Sequence, residues 1–508
     1  MKDMETELSN PPSAEYIPQL SSKPVLQPMS PKKKILQQTR SLLNSVFGDF
    51  GGFCNLKETS SPTTSKKGIS LPFANYLKQS KIFVLRSSQE SNEEKSFETV
   101  TDTHKPYIHC MMSGAIIASP YAFKQVGIPM GITFVVCFAF LMDYCTLILM
   151  QNSILTQQDT YQGIIRETFG NKVFWFLSSF QVLFYISSMT FYHALLGDML
   201  PKMINRLVLI CGVDDFQIGR QFSIAMSALL ILVPLSLCRS IRLISKFSLI
   251  SFFCITSLIT FSLIRLTTIS RHVPYTHSPF RFSNMNAFQS IGIIVFMYLS
   301  HHSSYIFNAS IRDSSKSRFS NTTYVNISYS LLCTLMLGII GFITFKGLVQ
   351  GDFLENYCEE DDMANIVRLC ITVMIIMQYP LECHGGREII YASFLPQSAT
   401  SLPLHIGLTM VLVVLASTIS IFVDCVSLIL EISGLLFAVP LVIIIPCGSF
   451  LRLSKESIYG LRKLPCLVLA SASFMIILLG IVMAAFMPHG CIHTTKYLPY
   501  CNGSSELL

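Results

Sequence analysis

HCMMSGAIIASPYAFKQVG, His109 to Gly127, is about as long as a bilayer-crossing helix, yet its middle is built from residues that weaken one. Ser113 and Gly114 lie near its centre, and Ser119-Pro120 follows. Proline has no N–H to give to the helical ladder, and its ring clashes with the turn before it. In hydrocarbon every backbone N–H and C=O has to find a partner within the protein. A span opened near Ser113–Ala115 would therefore expose amides to a cavity sealed from lipid, where a carboxylate or a cation can meet them. The same three residues, Ser113, Gly114 and Ala115, would also serve as a packing groove for a neighbouring helix.

Working outward from this run, the rest of the chain has the same apolar texture. Of its 508 residues 51% are hydrophobic and only 13% charged, whereas soluble domains carry roughly 25% charged residues. Crossing a hydrocarbon core takes about 20 mostly apolar residues. Segments of that kind lie at 107–126, 131–151, 173–197, 222–238, 244–265, 287–307, 328–348, 364–386, 402–423, 431–451 and 464–488. The expected fold is thus an all-α, multi-pass membrane protein with eleven transmembrane helices. Residues 1–106 are polar and read as a largely disordered tail, 107–488 as the membrane domain, and 489–508 as a short extracytoplasmic tail. The first 30 residues hold no apolar stretch of signal-peptide type, so membrane entry is expected to rely on the first span.

Charge sets the expected orientation. Of 37 Lys and Arg, 14 lie before Tyr107, and with the tail cytoplasmic the cytoplasmic loops and helix ends hold 13 against 10 on the other side. The basic excess is read as this signal, not as a nucleic-acid footprint. The acidic loop Gly351 to Asp362, with Cys211, Cys358, Cys491 and Cys501, then falls outside, where disulfides can form; sequence does not give their pairing. The other cysteines, mostly inside apolar runs, are expected to be packing residues. Of the sequons, Asn308, Asn321 and Asn326 fall in or beside an expected cytoplasmic loop, and Asn502 falls outside.

Two further spans carry polar residues at membrane depth. The sixth turns polar at Ser300-His301-His302-Ser303-Ser304, just after Tyr298. Adjacent histidines point to different helix faces, which makes a poor metal pair; one could relay a proton, since free imidazole titrates near pKa ~6.5, or both could sit wet at the helix end. In the eighth span Glu382 follows Pro380 and precedes His384 and Gly385-Gly386. An intramembrane acid is costly and suggests a cation or a partner, although Glu382 could also sit low in the helix near Arg387. Asp143 and Glu431 read as structural or interfacial. No Walker A, GxSxG or HExxH sequence occurs, and no filter-like loop recommends a channel.

SPYAFKQVG (Ser119 to Gly127), VPLSLCRSIRLISKFSLIS (Val233 to Ser251), HHSS (His301 to Ser304), GDFLENYC (Gly351 to Cys358) and YPLECHGGRE (Tyr379 to Glu388) resemble the amino acid/auxin permease superfamily, and within it the sodium-coupled neutral amino acid transporter group. The resemblance runs from about Tyr107 to Pro488. It implies a five-plus-five inverted-repeat fold, a peripheral eleventh span, and secondary active transport of small neutral amino acids. It places substrate between unwound parts of spans 1 and 6, at Ser113, Gly114, Ala115, Tyr298, His301 and Ser303. It places a sodium ion between spans 1 and 8. There this chain departs from the pattern: His109 stands for an asparagine, and Gln378, or the apolar Ile376, stands for a hydroxyl near Pro380. Imidazole is a poor ligand for a hard cation, so His109, Gln378 and Glu382 are expected to couple to sodium, to protons or to no ion. A non-transporting amino acid sensor or scaffold is the alternative. No cofactor is implied beyond the coupling ion, and the expected partners are a small neutral amino acid and lipid, with no nucleic acid.

Overall fold

The chain turns back at Gly127, whose φ of 82° is a backbone conformation that glycine adopts without a Cβ penalty. Its N–H still closes onto Phe123 O at 2.7 Å, so the first span ends there and the second begins on the next residue. The computed structural model describes residues 114–212, 217–238, 248–274, 287–299, 316–395, 401–455, 460, 463–486 and 500–501, all within the unit Pro62–Leu508. The expected tail, most of the expected C-terminal segment, and the sequons at Asn308 and Asn502 lie outside them.

Every regular element among the described residues is helical. A 3-10 segment, Gly114–Ala118, leads into α1 (Ser119–Val126), followed by α2 (Ile128–Thr156), α3 (Tyr161–Phe169) and α4 (Asn171–Ile210). Next come α5 (Arg220–Ser227), a π segment at Ala228–Leu232, α6 (Val233–Ser236), α7 (Ser248–Ile269), α8 (Ala287–Met297), α9 (Lys316–Phe345) and α10 (Asp362–Ser393). The chain continues through α11 (Leu402–Phe422), α12 (Val426–Ile432), π segments at Ser433–Ala438 and Pro440–Ile444, α13 (Ile445–Leu453) and α14 (Lys463–Phe486). Among the described residues, eight helical stretches are long and apolar enough to cross a membrane, and shorter apolar helices occupy Arg220–Ser236 and Ala287–Met297. Every apolar segment read from the sequence is helical over most of its described residues; the exceptions are 237–238, 298–299 and Val423. The protein is a multi-pass helical membrane bundle.

Large apolar side chains are exposed on the outside of the bundle as well as buried in its core. Phe140, Phe176, Phe253 and Phe422 stand out from the bundle, as lipid contact permits. In α14 only 17% of the apolar window is buried, which puts it at the periphery. Within the bundle, α4 and α10 run antiparallel along almost their full lengths. Ser178 meets Ser393 at 2.9 Å, the Tyr185 ring fills the space over Gly385, Tyr192 faces Gln378, and Arg206 pairs with Asp362 at 2.8 Å. Helix α4 runs 13 residues past the expected limit at 197 because its polar extension, Asp198 to Arg206, finds ion-pair partners at this end.

That end is tied off by a folded loop, 349–361. Asp352 caps its 3-10 turn Phe353–Asn356, accepting the Leu354 N–H at 2.9 Å. The buried guanidinium of Arg368 donates to Leu354 O (3.0 Å) and Tyr357 O (2.8 Å). Cys358 is disulfide-bonded to Cys501, and Tyr500 donates to Asn356 O at 2.8 Å. Cys425 is disulfide-bonded as well, whereas Cys211 is free and exposed. Of the sequons, Asn326 is buried on α9, where no glycan could be attached to the folded chain.

The tightest glycine contact among the described residues joins α8 to the start of the π segment Ser433–Ala438. A Cβ on Gly434 would stand 1.9 Å from the Gly292 carbonyl oxygen, and one on Gly292 would stand 2.7 Å from Glu431 O. Backbone cannot step aside as a side-chain tip does. Gly434→Ala should therefore separate the two helices and cost about 1–3 kcal/mol or more, whereas Gly407→Ala, with nothing within 4 Å, should be neutral. Thermal unfolding of the detergent-purified pair checks this, and equal midpoints would refute the contact.

Candidate functional site

Pro120 sits in the first turn of α1, where its missing N–H costs nothing. What precedes it is not α-helix but the tighter 3-10 turn Gly114–Ala118, all five residues buried. The Gly114 N–H is donated across the bundle to Oε1 of Gln378 in α10, at 3.2 Å. The Tyr192 hydroxyl of α4 donates to the same oxygen at 3.4 Å. A Cβ on Gly114 would lie 3.3 Å from the Tyr192 ring and 3.8 Å from Gln378 Oε1. The first span, α4 and α10 thus converge on one amide oxygen deep in the bundle, where an unpartnered amide would be costly.

The polar face continues one turn along both long helices. Four residues on from Gln378, Glu382 faces the hydroxyl of Ser188, which lies four residues before Tyr192. In the opposite direction His193 stacks edge-on against Tyr379, ring centroids 4.9 Å apart, with its Nδ1 on Met189 O. Pro380, inside α10, withholds the N–H that the Ile376 carbonyl would otherwise receive. From the far side α8 closes the site. It ends at Met297, and the buried Tyr298 follows in a turn. Ser290 of α8 donates to Ala122 O of α1 at 3.1 Å, holding the two elements side by side. Ser433, opening the π segment, is hydrogen-bonded to Ser187 of α4. Such bulges recur at functional sites because they leave backbone groups outside the regular ladder.

Of the residues singled out in the sequence, Gly114, Ala115, Gln378, Glu382 and Tyr298 are described. Gly114 and Gln378 are brought into direct contact, with Glu382 one turn away. His109, Ser113, His301 and Ser303 lie outside the described residues. Neither neighbour considered for Glu382 engages it by a described bond. His384 has its nearest carboxylate in Glu388, at 4.0 Å, and Arg387 donates to Ser236 O (2.6 Å) and Thr409 Oγ1 (2.7 Å). Sequence reasoning missed Tyr192 and His193. A histidine inside the apolar run SSMTFYHALLG was the available signal, since an ionisable group at that depth needs a reason.

A buried polar site where the described part of the first span opens in a 3-10 turn, held against two long antiparallel membrane helices, is the kind of arrangement found in solute carriers. The model of the transmembrane amino acid transporter protein family matches residues 99–489, and the chain belongs to that family. It is therefore a transporter and not an enzyme. The bovine (Bos taurus) protein named "Putative sodium-coupled neutral amino acid transporter 11" is 32% identical over 397 residues, 78% of this chain and 85% of the relative. Its zebrafish (Danio rerio) namesake is 31% identical over 421 residues, 83% and 93% of the two chains. The crystal structure of MhsT in complex with L-phenylalanine superposes with a TM-score of 0.50 at 13% identity, covering 77% of this chain and all of that one.

The contact between the first span and α10 is directly testable. Gln378→Ala removes the acceptor of two buried donors, a loss of about 1–3 kcal/mol. Amino acid uptake should fall about tenfold or more while the protein still purifies as a folded species. Undiminished uptake would show that the break is held by something other than Gln378.

Proposed function

We propose that this protein carries small neutral amino acids across a membrane by secondary active transport, binding them where the first span is broken. The observation that carries this reading is the Gly114 amide donated across the bundle to Gln378 Oε1, beside the Tyr192 hydroxyl. Unwound backbone at membrane depth is tolerated only where protein or a water-filled cavity meets it, and a broken span presents N–H groups to a substrate carboxylate. The relatives' printed names point to the same solute class. Substrate would lie against Ser113, Gly114 and Ala115 on one side and Tyr298, His301 and Ser303 on the other. Tyr192 would close the wall between them.

The architecture that best accounts for these contacts has eleven spans, with spans 1–5 and 6–10 as inverted repeats. Spans 3 and 8, which are α4 and α10, occupy corresponding places in the two halves and pair antiparallel. Spans 1 and 6 also correspond, and both lose regular helix near the middle of the bundle. The basic tail favours a cytoplasmic N-terminus with the disulfide-bearing end outside, in the plasma membrane or an endolysosomal membrane. Residues 1–106, 107–488 and 489–508 are tail, transport domain and outer segment in this reading.

For the coupling ion, Gln378 is the informative residue. Its Oε1 already accepts two hydrogen bonds, leaving little lone-pair density for a hard cation. Together with His109 this favours a proton, or no ion, over sodium. Purified protein in liposomes, given a panel of labelled neutral amino acids under separately imposed sodium and proton gradients, should show proton-driven or gradient-indifferent uptake. Sodium-driven uptake would overturn the ion assignment alone. Absence of flux for every substrate would overturn transport and favour a sensor or scaffold.

A further inference from the structure

We propose that Asp352, Asp198 and Glu355 form a proton-binding site that latches the loop 349–361 onto α4, one proton being held on the Asp352 carboxyl between its two neighbours. Oxygens of the three carboxylates lie within 4.8 Å of one another. Asp352 is only 3% exposed; its Oδ1 accepts the Leu354 N–H, and its buried Oδ2 has no hydrogen-bond partner. An orphaned carboxylate oxygen at that depth is expensive unless it carries a proton or meets a cation.

The neighbouring cations are already engaged. Lys202 of α4 pairs with Glu355 at 2.7 Å. Arg220 of α5 divides itself between Asp198 (2.6 Å) and Asp424 (2.8 Å). Arg368 of α10 spends its donors on the Asn365 side chain and on loop carbonyls. Asp361 is matched by Arg265 of α7, and Asp362 by Arg206. Lys124 of α1 also reaches the loop but donates to the Val349 carbonyl (2.8 Å), so among the described residues no Lys or Arg pairs with Asp352 and the positive charge that would match it is missing.

A proton supplies that charge and also gives Oδ2 a bond to make, toward Asp198 or Glu355. Burial first, then the charges of Glu355 and Asp198, raise the affinity of Asp352 for a proton well above that of an ordinary aspartate. Because the docked loop binds the proton more tightly than a released loop would, docking is strongest in acid and weakens as pH rises through the docked-state pKa.

The loop packs against the 3-10 segment of the first span, and Phe353 and Pro120 both crowd Gly341. Any effect of the latch on substrate passage rests on the transport reading; the docking itself does not. The test therefore reads the loop and not flux. Hydrogen exchange of residues 349–361, in the full chain in lipid nanodiscs and corrected for intrinsic rate, is followed from about pH 5 to about pH 8. In the wild type, protection should fall about tenfold or more as pH rises, a pKa unit's worth of linkage. Asp352→Asn keeps the Oδ1 acceptor and donates from the other atom as a protonated acid would, so its loop should stay protected throughout. Glu355→Gln removes one of the charges that hold the proton, so the midpoint should move to lower pH. That shift carries the test even if Asp352→Asn fails to fold. Protection independent of pH, an unchanged slope in Asp352→Asn, an unmoved midpoint in Glu355→Gln, or protection that follows added sodium or calcium would each overturn the proton site.

Discussion

Backbone donors and acceptors inside a bilayer have no water to turn to, so a helix broken at membrane depth must be completed by side chains of its neighbours. The Gly114 amide meets this constraint through Gln378 Oε1. Much of the arrangement around it follows. Helix α10 must present an amide side chain at that height, α4 must pack closely enough to bring Tyr192 to the same oxygen, and residue 114 must be small enough to admit the Tyr192 ring. Small residues recur where the helices are closest, at Gly385 under Tyr185 and at Gly292 against Gly434. Association of helices in lipid depends on such close packing, because apolar burial offers no advantage over lipid tails.

Apolar runs are legible because the bilayer imposes a length and a composition that few other environments demand. Residues 402–423 were expected to be a span and Leu402–Phe422 is one helix; 464–488 and Lys463–Phe486 agree as closely. The end of α4 was not legible. Its polar extension is helical only because Lys202, Arg206 and Asp198 find partners that are distant in sequence. The π segments after Ile432 open on Ser433-Gly434 and on Pro440, breaks in an otherwise apolar run that were not singled out from the sequence.

For the site the balance is different. Gly114 and Pro120 could be flagged because each has an intrinsic backbone cost that a span would not accept without a reason. Gln378 was flagged through a family resemblance. Its partner was not foreseeable, since it depends on the facing of three helices. Tyr192 has a side chain that is ordinary in an apolar helix, and it becomes informative only once its hydroxyl is seen to share an acceptor with a backbone amide. Glu382 was suspected for its charge, and the structure sets it against Ser188, with no described bond to His384 or Arg387.

A carrier has to rearrange around its substrate, and the bonding pattern indicates which part is free to do so. Contacts between α4 and α10 extend from Ser178–Ser393 to Arg206–Asp362, through the ring of Tyr185 seated over Gly385. Sliding these helices would break all of them at once. The first span is fastened to α10 by one described hydrogen bond, and a single such bond nets only about 1 kcal/mol. A substrate carboxylate that offered Gly114 a charged acceptor would compete with Gln378 on favourable terms, since charge-assisted bonds are roughly twice as strong as neutral ones. In the proposed reading, exchange of one acceptor for the other would release the first span from α10 and attach it to the substrate. The pair α4–α10 would then serve as the frame against which the first span moves, and the loop 349–361, packed on the 3-10 segment, is where that motion would first be felt outside the bundle.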